Sequence, residues 1–513
     1  MHIVLRQKLF FKRAKIHIIS HTTKQLQLKN APTKTAQPLI IEMKDIQKTS
    51  HFLRISENNL TIFFLLLRHK FHTLTILMYN INPYLLIPFA VMLLAIALMP
   101  LIMPRTWSRN INKLIFVLFL ATPTAILLTR AGLETELLHQ MLYEYIPFIV
   151  LLATLYVVTG GIHIHYSTTP TPIVNTAIMF IGYGLASIVG TTGAAMLLIR
   201  PLLEINRDRQ YKIHTILFFI AMVANCGGVL TPLGDPPLFL LYLRGAEFSW
   251  FQSLYPQWAF VGSVLLIVYF VMDSYIWKRK EIIGVRPRSE NEEDEPIKVS
   301  LSGAVNLFYL SAILLAVAFI NPAEIPAMKA EDAPWYIKFL REIVLGAILL
   351  LSIATTREKV RKLNHFSWEP ITEIAILFIG IFVTMTPALI FLNENAASLG
   401  ITEPWQFFFS SGALSSFLDN APTAVAFHTV AAGLPATEGA TIVAGVPEKI
   451  LSAIALGSVF FGAMTYIGNG PNFMVKAVAE NEGVRMPSFF GYIFKFSLVV
   501  LLPTYILMAL IFF

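Results

Sequence analysis

The chain has 513 residues, 56% of them hydrophobic and 14% charged, with a formal charge of +8 and a mean hydropathy of +0.65. Those proportions exclude a soluble globular protein. The positive charge points to no nucleic-acid partner, because residues 1–77 hold 13 Lys/Arg against 3 Asp/Glu while residues 78–513 hold 26 against 28.

The basic stretch 1–77 comes first. It lacks the order of charged start, apolar run and small-residue cleavage site that marks a signal peptide. Its one apolar run, Leu60–Leu67, is too short to span a bilayer and stops at Arg68-His69-Lys70. Met78 stands just before the first good span, so residues 1–77 are expected to be a disordered extension or no part of the native protein. From there, two series of segments follow in the same order. The first, 78–278, has spans at 81–103, 112–130 and 143–160. It continues with a stretch 172–203 interrupted at Gly190-Thr191-Thr192-Gly193, a stretch 213–244 broken at Thr231–Pro237, and a closing span 258–278. A charged segment, 279–300, reads as a solvated cytoplasmic linker. The second series, 301–513, has spans at 301–320, 336–355 and 371–393. It then has 404–432 interrupted at Asp419-Asn420-Ala421-Pro422, 449–480 broken at Gly468–Pro471, and a closing span 487–512. Each full span is long enough for a hydrocarbon core of roughly 30 Å. The expected fold is an all-α polytopic membrane protein with two repeats, each holding a re-entrant hairpin and a broken helix.

Loop charge orients the spans, since Lys and Arg collect in cytoplasmic loops. Basic clusters lie at 105–113, 200–212, 278–298, 357–362 and 476–485, whereas the loops near Glu134, Glu324, Asp332, Glu394 and Glu403 are acidic or mixed. One topology accommodates all of them: residue 81 lies outside, the first hairpin enters from the cytoplasm and the second from outside. The two halves then have opposite orientation, as in an inverted-topology repeat.

The breaks themselves repeat. GVLTPLGDPPLF (Gly228 to Phe239) and GAMTYIGNGPNF (Gly462 to Phe473) share Gly, Thr, Gly, an Asp/Asn position, Pro and Phe, each pair 234 positions apart. Proline and glycine break helices, and broken helices at membrane depth are tolerated where they line a cavity or are buried in protein. Four elements are therefore expected to converge on a site. They are hairpin tip one (Ser187, Thr191, Thr192), break one (Asn225, Thr231, Gly234, Asp235), hairpin tip two (Ser416, Asp419, Asn420, Thr423) and break two (Thr465, Asn469, Asn472). These are oxygen ligands suited to a hard cation such as sodium, and no His/Cys cluster for zinc accompanies them. Asp235 and Asp419 are the readily ionisable pair. An intramembrane carboxylate is costly; burial favours its protonated form and a bound cation favours the carboxylate, so one oxygen can exchange a proton for sodium. The alternative for each is helix capping. Asp273 and Glu373 read as interfacial, His163 and His165 as part of a solvated cytoplasmic loop, His428 as a hydrogen-bonding residue inside the bundle, and Cys226, the single cysteine, as a packing residue.

Three stretches, NCGGVLTPLGDPP (Asn225 to Pro237), SSFLDNAPT (Ser415 to Thr423) and GAMTYIGNGPN (Gly462 to Asn472), resemble the ion transporter superfamily. Within it, the chain is similar to NhaD-type sodium/proton antiporters and to citrate-transporter-like (CitMHS-type) proteins. The resemblance implies inverted repeats that move in an elevator-like or rocking manner, a homodimer, and a place in the bacterial inner membrane. Asn225/Gly227/Gly228, Gly234/Asp235 and Asp419/Asn420 match the antiporter pattern. Pro236-Pro237 departs from it, and Gly190-Thr191-Thr192-Gly193 lacks the Ser-Asn-Thr signature of dicarboxylate carriers. Two cargoes remain open: sodium exchanged for protons, or citrate or another small carboxylate coupled to cations or protons. No Lys or Arg falls at the four elements, which favours the cation. No acid/base or nucleophile set of an enzyme appears in the short loops.

Overall fold

The computed structural model describes residues 83–281 and 298–513, apart from 168, 331 and 436–438; the stretch 1–77 and most of the linker lie outside these. The long helices are numbered here in chain order. The first eight are α1 (Ile87–Ile102), α2 (Asn110–Arg130), α3 (Ile146–Thr159), α4 (Pro172–Val189), α5 (Thr191–Ile205), α6 (Ile213–Met222), α7 (Pro236–Leu243) and α8 (Tyr255–Ile276). Then come α9 (Val305–Phe319), α10 (Leu340–Thr355), α11 (Glu369–Glu394), α12 (Pro404–Ser415), α13 (Asn420–Ala432), α14 (Glu448–Phe460), α15 (Gly470–Asn481) and α16 (Leu502–Phe512). Seven helices among the described residues are long and apolar enough to cross a membrane, and large side chains such as Phe119, Phe308 and Leu510 point outward from the bundle. A surface of that kind needs a lipid environment. The chain is a multi-pass, all-α membrane protein.

The helices pack in two groups. In one, α11 lies against α1, α2 and α3, and α10 against α3 and α9. The other contains the hairpins and breaks, with α4 on α5 and α8, α12 on α14, and α8 on α16. Its interior is filled by Phe218, Phe219, Tyr269, Phe407, Phe408, Tyr492 and Tyr505, all fully or almost fully buried. The second limb of each hairpin packs on the broken helix of the other series: α5 against α15, and α13 against α7. This exchange brings four distant stretches of sequence to one place.

Contacts sort the helix ends into two sets. At the basic end, Lys113 Nζ is 2.8 Å from Glu373, His163 Nδ1 is 3.0 Å from Asn364 Oδ1, and Arg200 donates to the Asn364 carbonyl at 3.3 Å. At the other end, Arg244 meets Glu144 at 3.0 Å, Asn393 donates to the Thr429 carbonyl at 3.4 Å, and Tyr143 stacks on Phe339.

Several local expectations need correction. His163 and His165 belong not to a loop but to β1 (His163–Ser167), which pairs antiparallel with β2 (Lys298–Ser302), so the end of the expected linker is strand. The first break starts well before Thr231: α6 ends at Met222, a 3-10 turn covers Cys226–Val229, and helix resumes only at Pro236. Asp273, read as interfacial, is enclosed by protein rather than solvated. It is fully buried, with Arg209 bonding both its oxygens at 2.6 and 3.1 Å and His214 Nε2 2.8 Å away. The basic residue that loop counting assigned to solvent is folded inward to neutralise it.

Candidate functional site

Asp235 precedes α7 in extended backbone (φ −148°, ψ 148°), and its side chain makes no capping bond to its own helix. The helix starts Pro236-Pro237, so the second helical position, whose N–H a cap commonly takes, has none to give, and the carboxylate turns inward. There it is 2% exposed. Thr191 Oγ1, at the start of α5, donates to Oδ1 at 2.5 Å. Asn420 Nδ2, at the start of α13, donates to Oδ2. Asn469 Nδ2, just before α15, lies 3.2 Å from Oδ1 and 3.5 Å from Oδ2. The four elements expected to converge thus each supply one side chain. Four helix N-termini, those of α5, α7, α13 and α15, meet at the same point, each presenting partial positive charge.

The other predicted residues divide by what their polar atoms do. Asn225 and Asn472 form a second layer: Asn225 Oδ1 accepts from Asn469 at 3.1 Å, and Asn225 Nδ2 donates to Asn472 Oδ1 at 2.6 Å. The hydroxyls mostly hold backbone. Ser187 donates to the Gly227 carbonyl and accepts from the Leu230 amide, at 2.5 and 3.0 Å. Thr231 donates to the Ser187 carbonyl. In the second series Thr465 donates to the Ser416 carbonyl at 2.5 Å, so the two threonines do the same work. Ser416 and Thr423 hydroxyls bond back to their own segment, to the Gly412 and Asp419 carbonyls at 2.9 Å each. Thr192 is half-buried and is not among the partners of Asp235. Asp419 caps α13, accepting from the Ala421 amide at 3.0 Å. The expected pair of aspartates therefore separates into one inward carboxylate and one cap.

Gly234 makes the geometry possible. Its carbonyl accepts from the Thr191 amide at 2.7 Å, and a Cβ on Gly234 would lie 2.0 Å from the Gly228 carbonyl oxygen. Gly468 is equally tight, with a Cβ 2.7 Å from the Gly462 oxygen and 2.8 Å from that of Ser415.

None of the hydrogen-bond partners of Asp235 carries a positive charge. Asn420, while giving its nitrogen to the carboxylate, leaves Oδ1 buried and without a partner, and a buried acceptor of that kind calls for an explanation. A hard cation would use both oxygens.

Sequence reasoning missed one group. At the end away from the basic loops, Arg244 bridges Glu144 and Thr429 at 3.0 Å each, and Gln140 donates to the other Glu144 oxygen at 2.7 Å. A glutamate inside the apolar stretch 143–160 was the available signal. It ties α7, which follows Asp235, and α13, whose Asn420 bonds Asp235, to the helix preceding α3.

The family model CitMHS_2, described as "Putative citrate transport", matches residues 78–513. An uncharacterized transporter of Mycobacterium tuberculosis is 24% identical over 336 residues, covering 61% of this chain and 71% of that protein. An uncharacterized transporter of Synechocystis is 23% identical over 322 residues, 58% of this chain and 67% of that one. An uncharacterized protein of Bacillus subtilis is 32% identical over 79 residues, 15% of this chain and 40% of its own length. The family match runs through all four elements that meet at Asp235, and the chain belongs to this family: it is a membrane transporter and not an enzyme.

Proposed function

We propose that the protein is a secondary active transporter of the bacterial inner membrane that exchanges sodium, or a similar monovalent cation, for protons at Asp235. The observation that carries this is the carboxylate itself, buried, turned away from capping, and bonded only by neutral donors. Such a group is stable with a proton, or with a cation against its oxygens. Both compete for the same atoms, and that competition is the coupling. Asn420 Oδ1, unpartnered beside it, would be a second oxygen ligand. The helix N-termini moderate the cost of the ionised form while the proton is away and before a cation arrives.

The sidedness of the contacts supports inverted repeats: ends expected in the cytoplasm by loop charge touch one another, as do those expected outside. A second reading, transport of citrate or another small carboxylate with a coupling cation, is favoured by the family description and by the four helix N-termini, which can receive an anion without Lys or Arg.

The test uses everted membrane vesicles with an imposed pH gradient followed by a pH-sensitive dye. Sodium or lithium should collapse the gradient, and Asp235→Asn should abolish the response. Silence toward both cations, with uptake of labelled citrate, would replace the first reading by the second.

A further inference from the structure

The two breaks meet as mates. Asp235 and Asn469 are 234 positions apart, in the same place in each series. Asn469 has φ −150° and ψ 140°, close to the backbone of Asp235, and like it makes no capping bond. Their side chains face each other, with Asn469 Nδ2 reaching both carboxylate oxygens. The amide can sit only one way round. Its nitrogen also points at Asn225 Oδ1, 3.1 Å away, and at the Ala224 carbonyl, 3.2 Å away, so a flipped amide would aim its oxygen at acceptors on every side. Asn225 is fixed in turn by donating to the Ile220 carbonyl at 2.8 Å and to Asn472 at 2.6 Å. Asn472 is fixed by donating to the carbonyls of Gly462 and Thr465, at 2.7 and 2.9 Å.

We infer that Asn469 determines the valence of the transported cation by holding the site to one negative charge. The inference rests on the cation-exchange reading of Asp235. At a near-symmetric meeting point, one series contributes an acid and the other an amide of the same shape. The result matches one proton or one monovalent ion. An acid at both positions would set two carboxylates about 3 Å apart, which cannot both ionise unless a cation lies between them; such a pair suits a divalent ion. The other titratable groups around Asp235 are Asp419, Cys226 and, behind Cys226, Tyr505. Asp419 is an acid too, but its side chain is taken up by the Ala421 amide at the start of α13 and is not a hydrogen-bond partner of Asp235; none of the three is a cation that would balance a further charge at position 469.

The test compares the parent, Asn469→Asp, Asp235→Asn and the exchange Asp235→Asn/Asn469→Asp, all as full-length protein. The readouts are thermal melting in detergent with sodium or calcium chloride, and the vesicle assay. Sodium should stabilise the parent, and calcium should not. In Asn469→Asp, calcium should stabilise at concentrations at least about tenfold lower than in the parent and should block sodium exchange. The exchanged pair, with one acid again, should recover part of the sodium response and lose the calcium response. A folded Asn469→Asp that ignores calcium would overturn the inference. So would an exchanged pair that folds but responds to neither ion, or failure of both variants to fold, since position 469 would then not accept a charge. A sodium response that survives in Asp235→Asn would instead sink the reading on which the inference stands.

Discussion

Thr191 and Thr192 are neighbours with the same side chain, and only Thr191 touches the carboxylate. A hydrogen bond to a charged group contributes about 1.5–3 kcal/mol. Thr191→Val should therefore weaken sodium-dependent exchange by about tenfold or more, while Thr191→Ser and Thr192→Val should stay near the parent in the same vesicle assay. A Thr191→Val protein with unchanged sodium affinity would remove the hydroxyl from the site. The two threonines could not be told apart in sequence, because which one faces inward depends on Gly190, whose φ of 83° turns the chain between α4 and α5. Asp235 and Asp419 posed the same difficulty. Both precede a helix, and the local cue that one would not cap was the Pro236-Pro237 pair after Asp235, which removes the second-position N–H that Ala421 supplies to Asp419.

At the scale of elements, the breaks are held by close backbone contact rather than by side-chain packing. Gly234→Ala should abolish transport and lower the melting temperature, since an added methyl meets the Gly228 carbonyl and overpacking costs about 1–3 kcal/mol or more. Gly346→Ala, where a Cβ meets nothing within 4 Å, is the matching control and should leave both unchanged. The buried triad makes a different prediction. Asp273 joins the end of α8 to the start of α6 through Arg209 and His214. Asp273→Asn would take the carboxylate's charge away from the two basic groups that close on it, Arg209, whose side chain is 3% exposed, and His214, and breaking a buried pair of this kind costs about 3–5 kcal/mol. A large fall in melting temperature should follow, with exchange per folded molecule retained; an unchanged melting temperature would show the triad to be dispensable.

For the whole molecule, opposite orientation of the two series is open to direct measurement. Arg109 and Glu324 follow the first span of their respective series, and both are exposed. Cys226 is buried, so the native chain is a silent background for an impermeant maleimide. Arg109→Cys should label from the cytoplasmic face and Glu324→Cys from the opposite face; labelling of both from one side would exclude inverted repeats. The span order, the two interruptions, the two breaks and the 234-residue offset were all legible in the chain, because apolar length and Gly/Pro chemistry act locally. So was the identity of the four elements that meet at Asp235. What each polar side chain does there was not. Asp273 looked interfacial because its distance along α8 says nothing of a loop that folds back over it. Ser187, Thr231 and Thr465 looked like ligands because hydroxyls in a break have the right chemistry, yet their partners are carbonyls from other segments. The sequence by itself determined which elements are apolar, where they break and which groups are present. Only the tertiary structure decided that Asp235 turns inward to meet one polar side chain from each of the other three elements, a hydroxyl and two amides. Hydrogen-bond direction and burial depend on neighbours far away in sequence, and the crossing of each hairpin onto the other series' broken helix is what supplies them.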